Sequence, residues 1–165
     1  MTVKFKAVVI DNQNEKFTRD IKEIDSSHLK EGNVLIKIDY SSLNYKDALI
    51  LKDGGKIVRK FPFVPGIDFS GKVVESDDDK FKKNENVICT GFRVGEMYYG
   101  GFSQFAKVDS NFLIKNPKDI DAEKSMMLGT AGFTALQCSF AIKAREELLL
   151  GEKVNDVLVT GATGG

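Results

Sequence analysis

Tryptophan is absent from the 165-residue sequence, histidine occurs once and cysteine twice. Two cysteines, Cys89 and Cys138, cannot assemble a four-cysteine zinc lobe, and free thiols suit a reducing compartment, so a cytoplasmic location is expected. An excess charge of one sign is missing too: 24 basic residues balance 24 acidic ones, and without a basic surplus no nucleic-acid partner is expected. No apolar run approaches the roughly 20 residues that cross a bilayer, so no membrane partner is expected either. The opening Met1-Thr2-Val3-Lys4 lacks the apolar stretch of a secretory signal. Apolar residues nevertheless make up 42%, with 12 phenylalanines, enough for a core and too much for disorder. The length allows one domain, or one and a fraction.

The first half reads as strands. Lys4 to Ile10 alternates, with Phe5, Ala7 and Val9 on one face, and Asp11-Asn12-Gln13-Asn14 is expected to end it in a turn. Phe17 to Ile24 is a weaker strand. Asn33 to Ser41 is the clearest, with Val34, Ile36, Ile38 and Tyr40 sharing a face opposite Lys37 and Asp39. Tyr45 to Lys52 is a short helix ended by Asp53-Gly54-Gly55. Strands resume at Phe69–Val74, Asn86–Thr90 and Ser103–Val108, and this spacing points to a barrel or sandwich. The run Ser76-Asp77-Asp78-Asp79-Lys80 reads as a solvated turn.

Beyond residue 115 the period changes. Asp121 begins a helical stretch as an N-cap or first-turn acid. A second helix is expected from Gly132 to Glu147, where Phe133, Leu136, Phe140, Ala141 and Ala144 form one apolar stripe. Val154–Thr160 then reads as a buried strand running into Gly161-Ala162-Thr163-Gly164-Gly165. Such a turn normally opens a helix whose N-terminus faces a phosphate. The sequence is therefore read as the N-terminal portion of a longer polypeptide; a natural end on a glycine tail is the other reading.

Five segments could carry chemistry, and each has a plainer structural reading. The terminal glycine turn could cradle a pyrophosphate or bind nothing. Asn44-Tyr45-Lys46-Asp47 could line a cleft, or Asn44 could be an N-cap and Asp47 a first-turn acid. Pro65-Gly66-Ile67-Asp68-Phe69 could be only a turn, with Asp68 bonding nearby backbone amides. Gly129-Thr130-Ala131-Gly132-Phe133-Thr134-Ala135 could admit a flat ring or another helix. Gly95-Glu96-Met97-Tyr98-Tyr99-Gly100-Gly101 reads as a hairpin tip, a pocket wall or merely a turn.

Taken in this order, Ser41 to Ala48, Phe63 to Gly71, Gly129 to Ala135 and Val159 to Gly165 resemble the medium-chain dehydrogenase/reductase superfamily. Within it the chain is most similar to the zinc-independent quinone-oxidoreductase-like branch, and there to the acryloyl-CoA reductase group. The resemblance covers essentially the whole sequence. It implies a mainly β fold with α: a chaperonin-10-like (GroES-like) β-barrel catalytic domain over residues 1–120, connecting helices over 121–153, and at 154–165 the first strand and glycine-rich turn of an incomplete NADP-binding Rossmann domain.

The resemblance also implies a chemistry. Zinc enzymes of the superfamily place a cysteine where this chain has Asn44 and a His-Glu pair where it has Ile67-Asp68; neither Asn nor Ile suits zinc, and the single histidine, His28, lies in a polar turn away from both motifs. No metal is expected. An enoyl thioester or quinone carries its own polarised carbonyl, so hydride from NADPH can be accepted without a Lewis acid, given hydrogen-bond donors for the developing oxyanion. By match to the family motifs, Tyr45 and Asn44 are the implied catalytic residues. Tyr45, Thr130, Thr134, Gly161, Ala162, Thr163, Gly164 and Gly165 are the implied cofactor contacts. The implied partners are a small-molecule substrate, an enoyl-CoA or a quinone, and a second copy in a homodimer of the complete protein. Asp68 is expected to be structural, and Arg93 either meets an anionic CoA tail or is simply solvated. Two alternatives stand beside acryloyl-CoA reduction: an NADPH quinone oxidoreductase, and a non-catalytic barrel module.

Overall fold

The structure is a computed structural model that describes residues 3–13, 16–148, 151, 154 and 156–161. Alternating apolar residues build its first hairpin. Strand β1 (Lys4–Gln13) pairs antiparallel with β2 (Lys16–Asp25), from Lys4 opposite Asp25 to Gln13 opposite Lys16. Phe5, Ala7 and Val9 are buried as the alternation predicts. The expected turn at 11–14 comes later, because Asp11, Asn12 and Gln13 stay in the ladder opposite Thr18, Phe17 and Lys16.

Five further strands form one antiparallel sheet: β3 (Val34–Ser41), β4 (Asp68–Ser76), β5 (Asn86–Thr90), β6 (Phe105–Val108) and β7 (Leu113–Lys115), in the order β6-β3-β4-β5-β7. Val34, Ile36, Phe69, Val73, Val87, Cys89 and Ala106 are all but sealed from solvent in its core. Burying each large apolar side chain contributes about 1.5–3 kcal/mol. The hairpin is stitched to the segment that leads into β6 and to the loop before β4. Val8 N donates to the Phe102 carbonyl at 2.8 Å, Gln104 N to the Lys6 carbonyl at 3.0 Å, and Ile10 and Phe63 exchange two bonds of 2.9 Å. The result is the barrel-like wrap that the strand spacing indicated.

The segment expected to be a hairpin tip is instead a packed series of turns. Val94 bridges Tyr98 in parallel, Val94, Gly95 and Gly100 are buried, and Gly100, Gly101 and Phe102 donate to Val64, Gly66 and Pro65. These bonds satisfy backbone groups that would otherwise be buried unpaired.

Helix α1 (Tyr45–Asp53) starts at Asn44 and ends where Gly54 N donates to the Ile50 carbonyl at 2.8 Å. Helix α2 (Ala122–Leu148) is capped by Asp121, whose Oδ1 accepts from Lys124 N at 2.8 Å. The two expected helices are present end to end, with the break at Gly129 (φ 46°, ψ −153°), and only Ser125, Met126 and Gly129 across them are buried. The stripe of Phe133, Leu136 and Phe140 is present, yet these residues lie 58%, 49% and 66% exposed.

Helix α2 also gathers most of the apolar residues of this part of the chain. Residues 125–142 carry no charge, and with a mean hydropathy of 1.2 the helix is long and apolar enough to cross a membrane by length and composition. Interspersed hydroxyls hide this from a search for wholly apolar runs: Thr134 and Ser139 bond back to the carbonyls of Thr130 and Ala135. Its first turn is moored to the sheet by polar contacts. Ser70 Oγ donates to the Ala122 carbonyl at 2.8 Å, and Ser125 Oγ to Asn116 Oδ1 at 2.7 Å.

Among the described residues of 154–160 the expected strand is not formed. Residues 154 and 156–160 have no regular structure, and Val157, Leu158 and Val159 are exposed. A parallel-sheet strand exists only through its ladder, and no described strand lies alongside to pair with it. Of the terminal glycine turn, Gly161 is described; Ala162, Thr163, Gly164 and Gly165 lie outside the described residues.

Candidate functional site

The site is organised by Asp68, the first residue of β4, which is completely buried. Its Oδ2 accepts from Ser42 Oγ at 3.0 Å, Asn44 Nδ2 at 2.9 Å and Thr130 N at 2.8 Å; its Oδ1 accepts from Thr130 Oγ1 at 2.6 Å. The expectation that Asp68 would bond neighbouring amides is therefore corrected: its partners come from the end of β3, the entry to α1 and the kink of α2. A buried carboxyl is tolerated only when its lone pairs are filled, and here donors alone fill them.

The kink exists to deliver those donors. Gly129 sits at φ 46°, and a Cβ there would come within 2.8 Å of Asp68 Oδ2 and 3.0 Å of Ser42 Oγ. Only glycine allows both the left-handed backbone and the close approach. The Thr130 amide, freed from the helix ladder at that break, turns to the carboxylate.

A second buried carboxylate locks the entry to α1. Asp47, also fully buried, accepts from Asn44 N at 2.8 Å and from Ile67 N at 3.0 Å. Both plain expectations for this motif hold: Asn44 is the N-cap residue and Asp47 the first-turn acid. Asn44 does more, since its side chain reaches Asp68. Burial raises the Asp47 pKa above the ordinary carboxylate range, opposed by the hydrogen bonds from the Asn44 and Ile67 amides. Cys89, on the neighbouring strand, is pushed up to about 12 by burial and by the nearby Asp68 charge.

Around this scaffold the expected site residues divide. Asn44 and Thr130 meet at Asp68. Tyr45, the first residue of α1, is 80% exposed. Thr134 lies exposed one turn beyond Thr130, with its hydroxyl donating to the Thr130 carbonyl at 3.0 Å. Gly161 has φ 69° and no heavy atom within 4 Å of where a Cβ would stand, the conformation a tight glycine turn uses. Ser42, and the depth at which Asp47 is held, were not anticipated; no local pattern marks a serine whose partner is 26 residues away. Among the described residues no three His, Cys, Asp or Glu side chains converge as a metal would need. His28 is remote from the cluster in sequence and exposed, against Asp25.

The five-stranded sheet with the hairpin wrapped beside it fits the GroES-like barrel that the motifs implied. Residues 30–118 match the alcohol dehydrogenase GroES-like domain, and the chain belongs to that family. It is 43% identical over 98% of its length to the acrylyl-CoA reductase AcuI of Ruegeria pomeroyi. Among solved structures it is similar to Escherichia coli YhdH with bound NADPH, at 43% identity and TM-score 0.80 over 84% of this chain and 43% of that one. Bacillus subtilis YhfP with NAD bound is also similar, at 37% identity and TM-score 0.89 over 99% and 49%. The chain spans about half the length of the curated relatives it matches, 48% for the Ruegeria protein.

Proposed function

We propose that the protein containing this chain is an oxidoreductase that reduces the activated double bond of an enoyl-CoA, acryloyl-CoA above all, using NADPH and no zinc. The observation that carries this reading is the Asn44–Asp68 hydrogen bond at 2.9 Å. The positions that match the zinc ligands of metal-dependent relatives here hold an asparagine, an isoleucine and a carboxylate already filled by four donors. That donor set suits positioning and not metal coordination. The similarity to an acrylyl-CoA reductase and to an NADPH-bound structure supports the substrate and cofactor.

NADPH bound here would supply hydride to the β-carbon of the thioester, and solvent the proton to the α-carbon. The residues of this chain act around that event. Tyr45 offers its exposed hydroxyl as the donor to the thioester oxygen or the cofactor. Asn44, fixed by Asp68 and by the Asp47 bond to its amide, sets the start of α1 and thereby the place of Tyr45. Thr130 and Thr134 border the nicotinamide end, with Thr130 positioned by its two bonds to Asp68. Gly161 to Gly165 begin the pyrophosphate cradle. The exposed stripe of α2 packs on the remainder of the protein, and the complete protein is a cytoplasmic homodimer.

The test is Tyr45→Phe in the full-length protein. Turnover of acryloyl-CoA or the NADPH constant should change by more than about twofold, the scale of a lost weak contact. If both stay within that range, Tyr45 has no part in the reaction. A second reading, a quinone oxidoreductase, is favoured by 38% identity over the whole chain to the putative quinone oxidoreductase YhfP of Bacillus subtilis. Turnover on acryloyl-CoA against a naphthoquinone, with NADPH against NADH, separates the two. The reading as a barrel module without catalysis predicts neither turnover in the full-length protein.

A further inference from the structure

A cleft of about 560 Å³ opens between the loop after α1 and the turns at 93–98. Its rim carries Lys56, Arg59, Lys60 and Arg93, with Met97 and Phe63 giving it apolar wall. Two acids, Glu31 and Glu96, also line it. Glu96 is already neutralised by Lys46, whose Nζ lies 2.7 Å from Glu96 Oε1. None of the four rim cations has a carboxylate partner among the described residues, whereas Lys46, Lys82, Lys115 and Lys124 all do. Arg93 Nη1 faces only Met97 Sδ at 3.0 Å. Lys56 and Arg93 hold positive φ, 55° and 61°, a backbone state disfavoured for side-chain-bearing residues.

We propose that this cleft binds the phosphorylated nucleotide arm of the acyl-CoA substrate, a proposal that rests on the enoyl-CoA reading above. Three observations carry it. The volume lies in the range of ordinary ligand clefts. A 3′-phosphate and a diphosphate bring about four negative charges, which four unpaired cations complement. The Lys46–Glu96 pair joins the cleft to α1 beside Tyr45, so an arm lying there would lead its acyl end toward the exposed tyrosine. A quinone has no such arm and gains nothing from the cations. The cleft therefore discriminates thioester from quinone through binding rather than through the hydride step.

The test is Arg59→Glu with Lys60→Glu in the full-length protein, two exposed residues outside the buried cluster. The expected result is a KM for acryloyl-CoA raised by about tenfold or more, with the NADPH constant and the KM for acryloyl-N-acetylcysteamine, which lacks the nucleotide, within about twofold. The Arg59→Lys, Lys60→Arg variant should restore the parent value. Equal movement of both thioester KM values, movement of neither, or movement of the NADPH constant instead overturns the proposal. Calorimetric titration with coenzyme A alone separates it from the catalytic reading. Binding that the charge reversal abolishes supports the cleft even if acryloyl-CoA is not reduced, and no binding to the parent protein overturns it even if it is.

Discussion

Thr130 Oγ1 donates to Asp68 Oδ1 at 2.6 Å across 62 residues of sequence, and the Thr130 amide donates to the other oxygen at 2.8 Å. One residue of the kinked helix thus holds both oxygens of the buried carboxyl. Replacing Asp68 by Asn turns one acceptor into a donor facing Thr130 or Ser42. Unfolding in urea should show a loss of about 2–4 kcal/mol, while Thr130→Val, which keeps the amide bond, should lose about 1–2. Equal losses would mean that the hydroxyl carries the whole contact.

Gly129→Ala should destabilise by about 1–3 kcal/mol, since it combines a left-handed backbone with a methyl group forced onto Asp68. The measurement that isolates the second cause is the same substitution beside Asp68→Ala. There the Asp68 part of the clash disappears, the Ser42 Oγ contact at 3.0 Å remaining, and the penalty should shrink toward that of the backbone.

Asp47 gives the stability a specific dependence on pH. Burial raises its folded pKa above the unfolded value, so the stabilisation is fully present below the ordinary carboxylate range and is lost as pH rises through the raised pKa. The acids Asp25, Asp78, Glu85 and Asp121, whose pKa values are lowered chiefly by hydrogen bonds, act in the opposite sense and lose their contribution as pH falls. They cancel when the parent is compared with Asp47→Asn. The stability difference, parent minus variant, should therefore decline as pH rises above the ordinary carboxylate range; a flat difference would contradict the raised pKa.

The two thiols should behave differently toward an alkylating agent. Cys138 is exposed on α2, whereas Cys89 is buried with its pKa pushed up to about 12. At pH near 8 the native protein should label at Cys138 alone, and at both sites in denaturant. Any stabilisation from neutral Cys89 is complete below the ordinary thiol pKa and lost only as pH climbs through 12, outside the working range.

Much of the fold follows from short-range pattern. The alternation of β3 buries Val34 and Ile36, and the Asn44 and Asp121 helix starts stand where their side-chain chemistry puts them. Long-range partnership is what local pattern could not carry. Asp68 follows a Pro-Gly turn and resembles any turn aspartate; its donors are identified only once β3, α1 and α2 are side by side. Strand β7 spans three residues, too few for a periodicity. Residues 154–160 have the composition of a buried strand, but composition supplies no neighbour to pair with.

Because the Asp68 cluster draws on three separate stretches of chain, it can close only after the hairpins and the helix have docked together. Amide exchange at Thr130 should consequently be among the slowest in the molecule, tracking global opening and not local fraying. The same hydrogen-bonded proton that positions the site thereby records whether the whole assembly has come together.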